Sequence, residues 1–336
     1  MQFSFLFHLH GLLVVFSLIE LDKNWFSMHN APMSHAQSAR NLGTCFGRAY
    51  AKINLTLDVL GRRPDGYHEL ATVIQAVDLY DTICLTETED ENVHIRCDRP
   101  ELDNAENLAV RAAQLVRRRL DIKRGVLCEI RKQIPVAAGL GGGSSDAATT
   151  LLLLQKWWQL PLSANDLLEM AATLGSDVPF FLNGGLALCE GRGERVTPLA
   201  PYWPASMRWL LLVKPALSIA TATVFNNLPA SDYSDGSYSR AICETLEQRN
   251  EFSPEYLHNC LERSVLERYP EVIRARNDLL ATGAELVRLS GSGPTLFAPF
   301  GELAKAAKSW RDMQSRGYEA YLVRAIYPTT GDICQF

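Results

Sequence analysis

A glycine-rich segment near the middle of the chain has the composition of a phosphate-binding loop. It reads Pro135-Val-Ala-Ala-Gly139-Leu-Gly141-Gly-Gly-Ser-Ser145 and lies between a strand-like alternation at 126–130 and an Ala/Leu-rich run typical of a buried helix. Glycines let the backbone approach a ligand, and the N–H groups and dipole at a helix start attract anions. The segment therefore predicts a phosphate site, and its serines could also reach Mg²⁺. The alternative is a flexible turn whose serines only cap the helix.

The segment differs from the two common nucleotide-binding loops. The chain contains no G-x-x-x-x-G-K-[ST] sequence, which excludes a P-loop. The segment lacks the last glycine of G-x-G-x-x-G, and no βαβ start precedes it. A phosphate loop of another kind is therefore required.

Two charged residues could handle the proton in a phosphate transfer. Such a transfer needs a positioned hydroxyl, a group that takes its proton, and cations on the phosphates. Lys52 interrupts an apolar strand, and Asp177 precedes the apolar run Val-Pro-Phe-Phe. If the two meet, Asp177 could accept the proton and Lys52 could stabilise the ionised forms. The alternatives are an edge lysine that reaches solvent and an aspartate that closes a turn or caps a helix.

Two further features have an ordinary structural interpretation. His68 follows a tyrosine in a turn, which by itself indicates a surface or satisfied polar residue. Gly291-Ser292-Gly293 indicates a hairpin turn, and the alternative is a second glycine-rich backbone nest near a phosphate.

Composition narrows the class of protein. A chain of 336 residues can bury a sizeable core and predicts two domains. The net charge of −5 argues against a general nucleic-acid binder, whose surface is basic. The eight cysteines form no C-x-x-C pair, which favours reduced, buried thiols in a cytoplasmic protein over a disulfide frame or a zinc site.

Residues 1–47 are predicted to lie outside the fold. The apolar run 3–19 contains two histidines and precedes Lys23, the first Lys or Arg of the chain, so it fits neither a secretory signal nor a membrane span well. We expect translation to begin at Met28 or Met33.

The order of elements predicts an α+β fold with a domain boundary in the proline-rich segment 198–204. Asn107 is predicted to cap a helix, and Ser163-x-x-Asp166 is a capping box. The Ser/Tyr/Asp-rich segment 232–239 predicts a mobile loop. Strands are predicted at 48–60, 70–77, 81–86, 93–96, 126–130, 186–189, 209–213, 286–289, 295–298 and 321–326.

Three separated segments together resemble the GHMP kinase superfamily. They are Ala51-Lys-Ile-Asn-Leu55 with Pro64-Asp-Gly-Tyr-His-Glu69, the glycine-rich segment continued to Ala148, and Leu289-Ser-Gly-Ser-Gly-Pro-Thr295. The resemblance runs from about Arg48 to Ile326. It implies a two-domain α+β fold, with a ribosomal protein S5 domain 2-like N-terminal domain over 48–200 and a ferredoxin-like C-terminal domain over 201–330.

The resemblance also implies an activity. The activity is that of an ATP- and Mg²⁺-dependent kinase. The Asp-Gly-Tyr-His sequence resembles that of one branch of the superfamily, whose members phosphorylate the 2-hydroxyl of a cytidine-diphosphate-linked methylerythritol in the non-mevalonate isoprenoid pathway. The alternatives are a kinase of mevalonate-type alcohols, homoserine or a sugar, and a non-catalytic ligand sensor. The expected partners are small molecules, with neither nucleic acid nor membrane, for a cytoplasmic monomer or homodimer.

Matching positions carry over the family's site residues. The resemblance implies that Lys52 and Asp177 are catalytic and that Ser144 is the candidate metal ligand. Ile74 stands where some members place an aromatic ring against the cytosine. The implied ATP contacts are Pro135, Val136, Ala137, Ala138, Gly139, Leu140, Gly141, Gly142, Gly143, Ser144 and Ser145, with Asn107 and Lys132 near the adenine. The implied substrate contacts are Asn54, Tyr67, His68, Thr221 and Phe225.

Overall fold

The first strand begins earlier than the sequence predicts. The structure, a computed structural model, describes residues 43–328 and the strand Cys334–Gln335. The expectations for residues 1–42, including the two start methionines, lie outside the described residues. The strand starts at Thr44, so the predicted boundary at residue 47 is wrong by a few residues. Cys45 is already fully buried there, and Thr44 pairs with Thr86.

The described residues form an α+β fold, as predicted. No helix among them has the length and apolar character needed to cross a bilayer. The strands are β1 Thr44–Asn54, β2 Thr56–Arg62, β3 His68–Thr88, β4 Val93–Cys97, β5 Gly125–Arg131, β6 Leu186–Gly191, β7 Arg195–Pro198, β8 Trp209–Lys214, β9 His258–Asn259, β10 Arg288–Leu289, β11 Leu296–Phe300, β12 Glu319–Val323 and β13 Cys334–Gln335. The helices are α1 Leu108–Leu120, α2 Gly142–Trp157, α3 Ala164–Leu174, α4 Val178–Phe181, α5 Thr221–Asn226, α6 Ser237–Glu247, α7 Glu262–Arg268, α8 Pro270–Ala281 and α9 Leu303–Ser315.

Strand β3 is the spine of the larger sheet. It is 21 residues long and joins the two strands predicted at 70–77 and 81–86 into one. One edge pairs with β1 and β2, and the other edge pairs with β5 and β6. The pairing of β1 with β3 shifts in register between Tyr50 and Ala51 of β1, as it does at a β-bulge. Helices α1, α2 and α3 share an apolar core with this sheet, so β1 and the start of α2 are held rigidly together.

The second half of the chain forms a smaller antiparallel sheet in the order β10-β11-β8-β12. The short strand β9 instead pairs in parallel with β2, through Thr56 and His258. Leu57 and Val59 of β2 lie in one buried cluster with Leu211 and Val213 of β8, so both halves contribute to a common core. The predicted boundary at 200 falls between β7 and β8 and stays a prediction.

Two local features differ from the sequence expectations. Helix α2 begins at Gly142, within the glycine-rich segment and ahead of the Ala/Leu-rich run, because the Ser145 N–H already donates to the Gly141 carbonyl at 2.9 Å. The loop predicted at 232–239 ends at residue 236, where α6 follows. The carboxylate of Asp58 holds that helix start, since it accepts hydrogen bonds from the Ser239 N–H at 2.9 Å and the Ser239 hydroxyl at 2.6 Å. The capping box of Ser163 and Asp166 is confirmed.

The glycine-rich loop interlocks with the turn that precedes β11. Gly139 has φ +76, and a Cβ there would lie 2.4 Å from the Ser290 carbonyl oxygen. The Ser290 hydroxyl donates to the Gly139 carbonyl at 3.2 Å, and the Thr295 N–H donates to Ala138 at 3.4 Å. Only glycine satisfies both the backbone conformation and this close approach. The turn at 291–293 is therefore part of the same loop assembly.

We expect the substitution Gly139→Ala to lower the free energy of unfolding by about 1–3 kcal/mol, because the new methyl group meets backbone atoms in a left-handed conformation. Denaturant unfolding measures this change. The matched control is Gly61→Ala, at which a Cβ would meet nothing within 4 Å. Equal stability of the two variants would contradict the interlocking of the loops.

Candidate active site

A cavity of about 1020 Å³ lies between the glycine-rich loop, the first three strands and helix α5. Its volume is at the upper end of the range for small-molecule sites. All of the predicted site residues line it except Ser145. Ser145 is 1% exposed and lies on the inner side of α2. The structure thus brings together residues from distant parts of the chain, and their roles stay predictions.

Lys52 and Asp177 meet at this cavity. The Lys52 Nζ atom lies 3.6 Å from Asp177 Oδ2 and donates a hydrogen bond to Asn54 Oδ1 at 2.6 Å. Asn54 is held in turn by its donation to the Thr72 hydroxyl at 2.8 Å. Lys52 is 4% exposed, so it is not an edge lysine in solvent. Asp177 is 38% exposed and, at the start of α4, makes no capping hydrogen bond, so its carboxylate is available to a ligand.

The glycine-rich loop positions the start of α2 at the cavity. The Lys52 N–H donates to the Leu140 carbonyl at 3.0 Å, which ties the loop to β1. Gly141 precedes the helix with φ 72, and a Cβ there would lie 2.6 Å from Phe181 Cζ. The N–H groups of the first helical turn and the helix dipole are the features that attract anions to a helix start. Ser144, half-buried in this turn, also lines the cavity and offers a hydroxyl oxygen.

A buried ionic group lies directly beneath the loop. The Lys132 Nζ atom donates to Asp81 Oδ2 and to Asp146 Oδ2, both at 2.6 Å. Burial alone would lower the pKa of Lys132, but the charges of Asp146 and Asp81 raise it. Burial raises the pKa of Asp146 to about 8. Asp81 Oδ1 also accepts from the Gln133 and Ile134 N–H groups, which fixes the chain that enters the loop.

Asn107 lies on the cavity wall as the cap of α1. Its Oδ1 atom accepts from the Ala109 N–H at 3.0 Å, and its amide nitrogen donates to Leu102 at 2.9 Å. The predicted cap is confirmed. The amide group therefore makes structural hydrogen bonds at the place where the resemblance implies the adenine.

Aromatic side chains form the opposite wall. His68 is buried, and its ring centroid lies 5.4 Å from that of Phe225 and 5.9 Å from that of Tyr233. Burial lowers the pKa of His68, with a further contribution from the charge of Arg62, so the ring is neutral at pH 7. Tyr67 is exposed beside it. This histidine is therefore a buried wall residue and not the surface residue that its turn alone indicates.

The structure also defines the contacts of two more positions that the sequence singles out. The Thr221 hydroxyl lies 2.9 Å from the Ser292 hydroxyl, which joins α5 to the turn at 291–293 on the cavity wall. Ile74 is 1% exposed and packs in the core of the larger sheet. The aromatic wall is therefore formed by Tyr67, His68 and Phe225.

Sequence reasoning gave no role to Asp146 and Arg192, which line the cavity, or to Asp81, which bonds to Lys132. Asp146 directly follows the glycine-rich segment, and a carboxylate at the start of a predicted buried helix was a usable signal. Asp81 gave no local signal. Arg192 stands between two glycines at the turn from β6 to β7 and lines the cavity.

We expect Asp146→Asn to flatten the dependence of unfolding free energy on pH between about 5 and 8. Burial raises the pKa of Asp146 in the folded state, so the folded protein keeps a proton that the unfolded chain has released, and stability falls as the pH rises through this window. Asparagine removes that slope, which is at most about 1.4 kcal/mol per pH unit. Urea unfolding at several pH values measures it.

The matched control is Asp166→Asn. Hydrogen bonds from Ser163 lower the pKa of Asp166, so this carboxyl is ionised in both states above pH 5 and its removal leaves the slope unchanged. An unchanged slope in Asp146→Asn would mean that Asp146 is ionised in the folded protein.

Comparisons with known proteins match the chain to one kinase superfamily. The family model described as GHMP kinases N terminal domain matches residues 107–185, and the one described as GHMP kinases C terminal matches residues 243–319. A solved homoserine kinase from Cytophaga hutchinsonii has the same fold, with a TM-score of 0.66 at 20% identity over 88% of this chain and 98% of that one. The predicted two-domain GHMP kinase fold is confirmed.

Relatives with higher sequence identity to this chain share one name. The 4-diphosphocytidyl-2-C-methyl-D-erythritol kinase of Brevibacillus brevis is 38% identical over 288 residues, which are 85% of this chain and 98% of that protein. The Bacillus licheniformis protein of the same name is 39% identical over 83% of this chain and 96% of its own length. A crystal structure of 4-(cytidine 5'-diphospho)-2C-methyl-D-erythritol kinase superposes with a TM-score of 0.70 at 34% identity, covering 84% of this chain and 100% of that one. The chain therefore belongs to the GHMP kinases, in the family of 4-diphosphocytidyl-2-C-methyl-D-erythritol kinases.

Proposed function

We propose that the protein transfers the γ-phosphate of ATP to the 2-hydroxyl of 4-diphosphocytidyl-2-C-methyl-D-erythritol, giving the 2-phosphate and ADP. One observation carries the proposal. The Lys52–Asp177 ion pair, with 3.6 Å between Nζ and Oδ2, lies on the wall of the same cavity as the phosphate-type loop. A proton acceptor and a cation thus lie beside the expected position of the γ-phosphate. The names of the relatives support the choice of acceptor.

The pair accounts for the chemistry as follows. The Asp177 carboxylate accepts the proton of the acceptor hydroxyl as its oxygen bonds to the γ-phosphorus. The bond between that phosphorus and its bridging oxygen breaks, and ADP leaves with the electron pair. Lys52 is held by Asn54, and its positive charge stabilises the negative charge that develops on the attacking oxygen. The rigid support of both groups supplies the orientation.

The glycine-rich loop is the proposed site of the triphosphate. Its backbone N–H groups and the dipole at the start of α2 stabilise phosphate charge. Mg²⁺ bound to ATP would neutralise further charge on the phosphates. Hydroxyl oxygens suit this ion, and Ser144 at the helix start is the residue that would hold it. The ion would keep most of its other positions for phosphate and water.

The aromatic wall is the proposed site of the cytidine. The aromatic rings of Tyr67 and Phe225 line the cavity and suit contact with a flat base, and a neutral His68 can both donate and accept a hydrogen bond. Asn54, which binds Lys52, and Thr221, which shares helix α5 with Phe225, also line the cavity, and the methylerythritol unit would lie against them.

The cysteines support a cytoplasmic location. Burial raises the pKa of Cys84 to about 11 and that of Cys128 to about 12, so both are neutral thiols at physiological pH. Buried thiols of this kind are typical of a reducing compartment. A monomer or homodimer with no nucleic-acid partner stays a prediction.

We expect Asp177→Asn to lower the turnover number at least about 100-fold while the dissociation constant of ATP changes little, because the amide keeps the shape but cannot accept the proton. Coupled measurement of ADP release and calorimetric titration of ATP separate the two effects. The control is Asp78→Asn, which removes a carboxylate that pairs with Arg324 away from the cavity. Retained turnover in Asp177→Asn would refute its role as the base.

The identity of the acceptor is tested with the wild-type protein. ADP release in the presence of ATP is compared among 4-diphosphocytidyl-2-C-methyl-D-erythritol, mevalonate, homoserine and galactose. Strong stimulation by the first alone is expected. Stimulation by another alcohol would assign a different acceptor, and ATP binding without stimulation by any of them would favour a ligand sensor.

A further inference from the structure

Arg192 occupies an unusual position beside the proposed base. It lies in the turn Gly191-Arg192-Gly193-Glu194 between β6 and β7. The Arg192 N–H donates to Glu194 Oε2 at 2.6 Å, which fixes the turn. A Cβ on Gly193 would lie only 3.8 Å from Asp177 Oδ1, so the turn packs next to this carboxylate. The arginine is thus held at the cavity by backbone geometry.

The guanidinium group of Arg192 lies over the ring of Tyr67. Its Cζ atom is 4.9 Å from the ring centroid, a distance at which cation and ring attract each other. The side chain is 30% exposed, and its Nε atom is 3.9 Å from Glu194 Oε1, which is too long for a hydrogen bond. The Nη1 and Nη2 groups make no hydrogen bond with the described residues. The planar donor face of the arginine is therefore oriented by Tyr67 and still available to a ligand.

The charges on the cavity wall make this arginine distinctive. Among the described residues, the Lys and Arg side chains that line the cavity are Lys52, Lys132 and Arg192. Lys132 is shared by two carboxylates, and Lys52 is paired with Asp177. Arg192 has an acidic neighbour too, since Glu194 Oε1 lies 3.9 Å from its Nε atom, but its two terminal nitrogens make no hydrogen bond with the described residues.

The proposed ligands place negative charge at two points. The triphosphate of ATP is assigned to the glycine-rich loop, where backbone N–H groups and a helix dipole receive it. The acceptor carries a diphosphate between its cytidine and its methylerythritol unit, and the loop does not account for that group. Arg192 contacts Tyr67 of the proposed cytidine wall and neighbours Asp177, so it lies between the two ends of the acceptor.

We infer that Arg192 is the residue that recognises the diphosphate of the acceptor, with its guanidinium group oriented by the ring of Tyr67. The inference rests on the proposed function and adds a specificity-determining residue to it. A planar guanidinium binds phosphate oxygens through two parallel hydrogen bonds, which a lysine cannot reproduce. Arg192 thereby favours acceptors that carry a diphosphate over plain alcohols of similar size.

The test compares Arg192→Met with Arg195→Met. Arg195 lies three residues further on, is 61% exposed, pairs with Glu69 and does not line the cavity, so its loss removes the same charge from the same segment. We expect Arg192→Met to raise the KM of the acceptor roughly 10- to 100-fold, as expected for the loss of a charge-assisted hydrogen bond. The KM of ATP and the turnover number at saturating acceptor should stay within about 2-fold. Arg192→Lys should recover part of the loss.

A binding measurement makes the inference independent of turnover. CDP and cytidine are titrated calorimetrically into the protein saturated with a non-hydrolysable ATP analogue. CDP should bind more tightly than cytidine to the wild type and to Arg195→Met, and this advantage should disappear in Arg192→Met. An undiminished advantage, or a weaker affinity for the ATP analogue in place of CDP, would overturn the inference.

The two levels of the proposal fail in different ways. If the wild-type protein does not phosphorylate the acceptor, the proposed function is wrong. If the wild type does so but Arg192→Met keeps the acceptor KM and the preference for CDP, the function stands and only the role of Arg192 is refuted.

Discussion

The sharing of one ammonium group between two buried carboxylates supports the whole site. Lys132 bonds to Asp81 of β3 and to Asp146 of α2, and none of the three side chains is more than 3% exposed. The group joins the spine of the larger sheet to the helix that begins at the glycine-rich loop. Removing one partner of a buried ion pair leaves an uncompensated charge and typically costs about 3–5 kcal/mol. The position of the loop, and of everything that it contacts, therefore depends on this interaction.

The same group raises a question of charge. Two ionised carboxylates and one ammonium would leave a net negative charge under a loop that is built to receive phosphates. Burial reduces the conflict, because it raises the pKa of Asp146 and so favours the protonated form of that carboxyl. A proton held there removes one negative charge from beneath the start of α2. The proposed phosphate site thus gains a rigid support with less electrostatic repulsion.

Local patterns were predictable from the sequence, and contacts between distant segments were not. The alternation in β1, the cap of α1 by Asn107 and the glycine-rich loop are each determined within a few residues. The partners of Lys132 are 51 and 14 residues away along the chain, and no short sequence pattern predicts these contacts. The Ser/Tyr/Asp-rich composition of the start of α6 predicts a loop, but Asp58, which is 181 residues distant from Ser239, holds it as a helix. The resemblance to a family supplied the roles that local physics left open.

The two halves of the proposed reaction rely on different kinds of structure. The proposed triphosphate side is built mainly from backbone groups, whose geometry depends on glycine conformations and helix placement. The proposed acceptor side is built from side chains such as Tyr67, His68 and Phe225. A homoserine kinase with 20% identity has the same fold, and one scaffold can carry different sites. Because the loop is fixed by backbone geometry, specificity in this scaffold depends on the few side chains that contact the acceptor beyond its reacting hydroxyl.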